Sequence, residues 1–249
     1  MKNQSLDLGF EPFPFEIQVS HVGVQKACFH ARRMLPSLIY DAVALEGNPY
    51  TFIEVLTLLD GITVGGRRLS HQQQILNLLD GWNALIEEVF EGRFHLSKET
   101  YCCYHALIAN GEARKPGVFR GGLVGVFGSS YQPPAGDHLN AIFDAGLSTI
   151  KIMDCPFNAG IHFFLFGALH KFFYAGNRRV SALMMNGILM SHGHLPITIP
   201  AARRREYIDV MMGFYETRNA EKAVRFLLDC AQDPGGPEAF EGLRHDRRH

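Results

Sequence analysis

The sequence has no apolar run of the roughly 18 residues that a bilayer span requires. It has no basic-then-apolar leader either, since it begins "MKNQSLDLGFEPFPF", polar and broken by prolines. Net charge is almost absent, a formal −1 over 249 residues, so no overall field draws the chain to nucleic acid or to an anionic membrane. Local clusters such as "ARRRE" and "RHDRRH" read as solvated faces. Cysteine is sparse: five residues, an odd number, none in C-x-x-C spacing, which offers no metal-like pattern. Internal repeats and low-complexity tracts are missing as well. These absences leave a cytoplasmic globular protein as the expectation, with neither nucleic acid nor membrane among its partners.

What is present suits that expectation. Hydrophobic residues make up 47% and charged residues 20%, enough to bury a sizeable core in one large domain or two small ones. From about 18 to 45 apolar residues recur at helical spacing, with Pro36 as a kink or boundary. "EGNPYT" ends that helix at Gly47 and Pro49. Thr51 with Glu54 reads as a capping box opening the next helix, which Gly61 closes. Further helices are expected from Ser70 and from Ser97 to about Asn110. "GVFRGGLVGVFGSSYQPP" alternates, carries Gly-Gly and stops at Pro-Pro, the pattern of a β-hairpin. Helical periodicity resumes near Asp137 and runs in segments to Cys230. The fold class expected is mostly α, with a single hairpin. The organisation is an N-terminal helical extension over 1–95, a core over 96–230 and a tail over 231–249.

The chemistry concentrates in "HKFFYAGNRRVSALMMNG", residues 170–187. Gly-Asn before a helix leaves unpaired N–H groups at the positive end of the dipole, and Arg178 and Arg179 add charge. Helix starts often look like this, so a capped buried helix is the plain structural alternative.

The region resembles the Fic (Fido) family, whose signature is H-x-F-x-[DE]-G-N-x-R-x-x-R between two central helices. The likeness extends to "SLIYDAVALEGNPYTFIEVLTLLDG", to the hairpin flap and to "GHLPITIPAARRREYIDVMMGFY", covering roughly 20–230 in the expected order. It implies a Fido helical fold and transfer of AMP, or less often another phosphate-containing group, to a protein hydroxyl. Matched without gaps, Phe173, Gly176, Asn177 and Arg179 agree with the signature. Lys171 takes the place of the histidine base, and at an ordinary pKa of ~10.4 it is protonated at neutral pH. His170 is adjacent, and a one-residue bulge would bring it into the base position. Ala175 replaces the acidic residue that holds Mg²⁺, so no metal is expected. Ala182 replaces the arginine that contacts the γ-phosphate.

The resemblance therefore implies a nucleotide or anion cradle of Gly176, Asn177, Arg178 and Arg179, with ATP or another nucleotide as its ligand and transfer impaired. An active transferase with altered chemistry stands beside that reading. In the family a glutamate of an "EGN"-type element restrains the enzyme. Glu46 matches it, and with Ala182 lacking a side-chain charge it could reach Arg178 or Arg179, or only cap local structure. The flap, from Phe119 to Tyr131, would dock a segment of a target protein along its edge or merely cover the core. The oligomeric state stays open, a homodimer included.

Overall fold

The computed structural model describes residues 7–15 and 20–232. Among them nine α-helices form: α1 Val24–Leu45, α2 Phe52–Leu59, α3 Leu69–Phe90, α4 Lys98–Ile108, α5 Leu139–Lys151, α6 Pro156–His170, α7 Asn177–Ser191, α8 Arg204–Thr217 and α9 Glu221–Gln232. Short 3₁₀ turns at Gly136–His138 and Ala201–Arg203 lead into α5 and α8. The helix stops follow local chemistry. Thr51 Oγ1 accepts the Glu54 N–H while Glu54 Oε2 accepts the Thr51 N–H, so both halves of the capping box form. Ser97 caps α4 through the Thr100 N–H. Pro36 neither ends nor divides α1, which runs continuously through it.

Helices α6 and α7 are the centre of the molecule. Nearly every residue of both is buried, as the uninterrupted apolar run "GIHFFLFGALH" requires. They pack more extensively on each other than any other pair, with α3, α4 and α5 around them. Close approach is made possible at Gly167, where an added Cβ would lie 2.0 Å from Ser181 Oγ and 2.7 Å from Tyr101 Oη. Those two hydroxyls bond each other at 2.9 Å inside the contact. A ring cluster of Tyr101, Phe119, Phe143, Phe163, Phe172 and Phe173 fills the adjoining space. Burying each such ring is worth about 1.5–3 kcal/mol, so the end of α6 is anchored before any polar contact is counted.

The lead-in also belongs to the core. Leu8 and Phe10 are buried, and Glu11 makes an isolated parallel bridge with Asn219. One continuous hydrophobic cluster takes in residues of α1–α3 and of α4–α9 alike. At the other end, α9 carries helix to Gln232; residues 233–249 of the expected tail lie outside the described residues.

The expected β-hairpin is not found. Among the described residues there is no β-strand, and 118–135 is an irregular loop with one turn, Ser129 N–H to Val126 O. The alternation is real: 121, 123, 125 and 127 are exposed while 122, 124 and 126 are half-buried. Cross-strand pairing fails for two reasons. Pro133 and Pro134 have no N–H to donate. At the neck the two limbs are tied to one side chain, because Gly122 O and Pro134 O both accept from the Arg120 guanidinium, at 2.7 Å each.

Candidate functional site

The loop 171–176 joins α6 to α7 and forms the floor of a cleft of about 130 Å³, with Glu46, Val124, Gly125 and Arg178 on its walls. Lys171 terminates α6 in the left-handed region, φ 50°, a conformation that costs a non-glycine residue about 1–3 kcal/mol and persists only where its surroundings enforce it. Arg120 supplies the enforcement. Its side chain is 1% exposed, and it donates to Lys171 O at 2.5 Å, to His170 O at 3.1 Å and to the two neck carbonyls. Its own N–H bonds Phe172 O. Four carbonyl dipoles thus solvate a buried cation that no carboxylate neutralises among the described residues, and burial lowers its pKa.

The remainder of the loop is pinned residue by residue. Asn177 returns to the backbone of Phe173, accepting its N–H at 2.8 Å and donating to its carbonyl at 2.7 Å. Tyr174 Oη accepts the Gly122 N–H. His105 lies flat on the Phe173 ring, 3.6 Å between centroids. Its Nδ1 accepts the Gly117 N–H, so the Nε2 proton goes to Ala175 O at 3.0 Å. Burial pushes His105 down to about 4. Gly176 (φ 72°) turns the chain into α7, leaving the first N–H groups of the helix directed at the loop.

Side-chain directions settle the open question at 170 and 171. His170 is turned into the core between Phe166 and Phe172, with Nε2 bonded to Leu8 O at 2.8 Å. Burial there pushes its pKa to about 4. The bulge that would bring it to the cleft does not occur. Lys171 faces the cleft instead, half-buried, its Nζ 5.6 Å from the centre of the Tyr215 ring and free of hydrogen bonds and ion pairs among the described residues. Burial, helped by the charge of Arg178 and opposed by Glu46, pushes it down to about 8.

The two arginines divide. Arg178 pairs with Glu46 at 2.9 Å at the cleft wall and lies over the Tyr207 ring. Burial works against its charge, but Tyr207 and Glu46 outweigh that and raise its pKa. Arg179 points the other way, is buried, and pairs with Glu112 in the turn after α4 while also donating to Ile108 O at 3.4 Å. The predicted flap ends both pack inward. Phe119 sits in the ring cluster under Lys98, and Tyr131 stacks on Tyr215. The outward positions are Leu123 and Phe127, 79% and 103% exposed.

The donor set does not fit a divalent cation. Ala175 has no side-chain oxygen and its carbonyl is taken by His105. The carboxylate at the cleft, Glu46, is held by Arg178. No cluster of three His, Cys, Asp or Glu suited to a metal occurs among the described residues, and no described helix is long and apolar enough to cross a membrane.

Sequence reasoning missed Arg120, His105 and Glu112. Arg120 carried a signal: it is the only charged residue between Pro116 and Gly136. The other two carried none, since only the fold brings α4 and the turn after it against the loop and the start of α7.

No family model matches the chain. In sequence it is similar to the protein adenylyltransferases Fic of Drosophila mojavensis, 26% identical over 199 residues, and of Aedes aegypti, 26% over 204 residues. Each match covers 78% of this chain and 39–40% of the relative, so the chain spans about two fifths of the length of the curated relatives it matches. In structure it resembles a Fic family protein from Desulfovibrio desulfuricans G20 (TM-score 0.71, 20% identity, 90% of this chain and 75% of that one). It is equally close to residues 134–508 of Fic-1 from C. elegans (TM-score 0.71, 17% identity, 93% and 68%). The chain is thus similar in sequence to the Fic protein adenylyltransferases and in fold to solved Fic family proteins.

Proposed function

We propose that this protein is a relative of the Fic AMP transferases that keeps a phosphate-anion or nucleotide cleft and has lost histidine-dependent transfer. The observation that carries the reading is the side chain at the cleft floor: an amine, Lys171, lines it, while the neighbouring imidazole of His170 is committed to Leu8 in the core. Ala175 and Ala182 remove the metal ligand and the second arginine that the family likeness implies. The anion cradle is narrower than the sequence suggests. Arg178, Lys171 and the first N–H groups of α7 face the cleft, whereas Asn177 serves the loop and Arg179 serves Glu112. Glu46 occupies Arg178, so an anion has to displace a carboxylate to use that guanidinium.

A second reading has support from one observation. An amine held near pKa 8 is partly neutral at mildly alkaline pH, and a neutral Lys171 can accept a proton from a hydroxyl. The amides of 123–126, unbonded among the described residues, also offer an edge on which an extended segment of a target protein could lie.

Incubation with labelled ATP and Mg²⁺ separates the two readings. The first expects no label on this chain or on added protein at any pH, together with calorimetric binding of AMP that Arg178→Ala weakens. Label that rises between pH 7 and 9 and vanishes in Lys171→Ala would overturn it in favour of the second.

A further inference from the structure

Behind the cleft lies a second, smaller cavity of about 60 Å³, lined by residues of α1, α3, α6, α7 and α8 and by the run 197–199 before α8. Leu38, Ala42, Trp82, Ala182 and Ile197 line it. Glu46 and Arg178 border both spaces, so their ion pair is the partition between them. Nearly every polar group on the cavity wall is already engaged. Arg179 is held by Glu112. Asn186 bonds both the N–H and the carbonyl of Ile197, at 2.7 and 3.0 Å. Thr198 donates to Asp41. Two donors stay open among the described residues, the buried Nε of Arg179 and the indole N–H of Trp82.

We propose that this cavity is an apolar subsite of the cleft, and that the ligand is a phosphate ester bearing one short apolar group, not a nucleoside triphosphate. The inference rests on the reading of the cleft as an anion site. Ala182, where the likeness implies an arginine for the γ-phosphate, lines this space together with Ala42 and Trp82. A terminal phosphate entering it would give up its hydration for these two N–H groups, with no unpaired cation beside it, and would pass the Glu46 carboxylate to do so. Unpaired burial of a charge is the most expensive event in the interior. An alkyl or small aromatic group meets no such penalty and gains from leaving water. A water needs about 10–15 Å³ of cavity, so a group of about four to six heavy atoms fits. The free Nε of Arg179 adds room for one acceptor oxygen on that group. Charge complementarity fixes the orientation: the phosphate lies toward Lys171, which has no counter-ion among the described residues, and the tail passes the Glu46–Arg178 pair.

Titration calorimetry of the full chain with methyl phosphate, n-butyl phosphate, AMP and ATP tests this. Each buried methylene is worth about fourfold in affinity, so n-butyl phosphate should bind at least tenfold tighter than methyl phosphate, and ATP no tighter than AMP. Ala182→Leu fills the cavity and should abolish the gain from the butyl chain. Ala42→Val, from the facing helix, fills the same space independently should the first variant fold poorly. Equal binding of methyl and butyl phosphate, or tighter binding of ATP than AMP, overturns the subsite and leaves the anion cleft standing. Failure of all four to bind overturns both.

Discussion

Acidification from pH 7 to pH 5 should destabilise this protein through two histidines that the fold keeps neutral. His105 and His170 are buried and both are pushed to about 4, against about 6.5 in an unfolded chain. His105 feels Arg179 and Glu112 in opposite senses, and His170 feels Arg218 and Arg120, both of which disfavour a second positive charge. Because the folded values lie below the unfolded ones, the unfolded chain binds more protons between about pH 4 and 6.5. Stability is therefore full above 6.5 and is lost as the pH falls toward 4. Between pH 7 and 5 the loss is about 2 kcal/mol per histidine, about 4 kcal/mol for the pair. With a urea slope of about 2–3 kcal/mol/M for a chain of this size, the unfolding midpoint should drop by roughly 1.5–2 M. His162, also lowered by burial, adds in the same sense, and Asp41, raised by burial, opposes it. Urea titrations followed by circular dichroism at each pH measure the effect. His105→Gln and His170→Gln should each remove about half of the pH dependence while lowering stability at pH 7. A midpoint that does not move between pH 7 and 5, or a slope that survives intact in the double variant, would show that these imidazoles are not buried as described.

Three further outcomes follow from single contacts. Arg120→Met leaves four carbonyls without their donor; unpaired buried groups cost about 1–3 kcal/mol each, so the urea midpoint should fall markedly and proteolysis within 121–134 should quicken, and a neutral result would refute the neck-closing role. Gly167→Ala forces a methyl against Ser181 and Tyr101, and a loss of about 1–3 kcal/mol is expected by thermal melting, with no loss contradicting the close α6–α7 contact. Amine acylation followed by mass spectrometry should show Lys171 half-reactive near pH 8, well below the ~10.4 of surface lysines. Glu46→Gln should lower that point further by removing the carboxylate that favours the charged amine, and a Lys171 profile like the bulk would refute the burial argument.

The helices were legible in the sequence because their causes are local. Apolar spacing at 3.6 residues, the Thr51–Glu54 box and glycines at 47 and 61 act within a turn or two of the chain, and the structure places α1, α2 and α4 where those signals lie. The α6–loop–α7 signature is likewise a short contiguous string, so its residues and their departures from the family pattern could be named without coordinates. Which way those residues point could not. His170 and Lys171 differ by about 100° on a helix, and the choice between them is made by Leu8, 162 residues away, and by Arg120 on another loop. Arg178 and Arg179 read alike in sequence, yet the end of α1 brings Glu46 to one and the turn after α4 brings Glu112 to the other. The loop after α4 has the alternation of a hairpin, but a guanidinium stands in the place of cross-strand bonds. Composition and periodicity determined that this chain folds mostly as helices, because the apolar spacing that makes one face of a helix ready for burial is a local property of the chain, and the contiguous string around Gly176–Asn177 carried the likeness to the Fic/Fido fold. Tertiary structure alone decided what the cleft contains, because charge pairing, burial and side-chain direction at the site are set by residues distant in the chain.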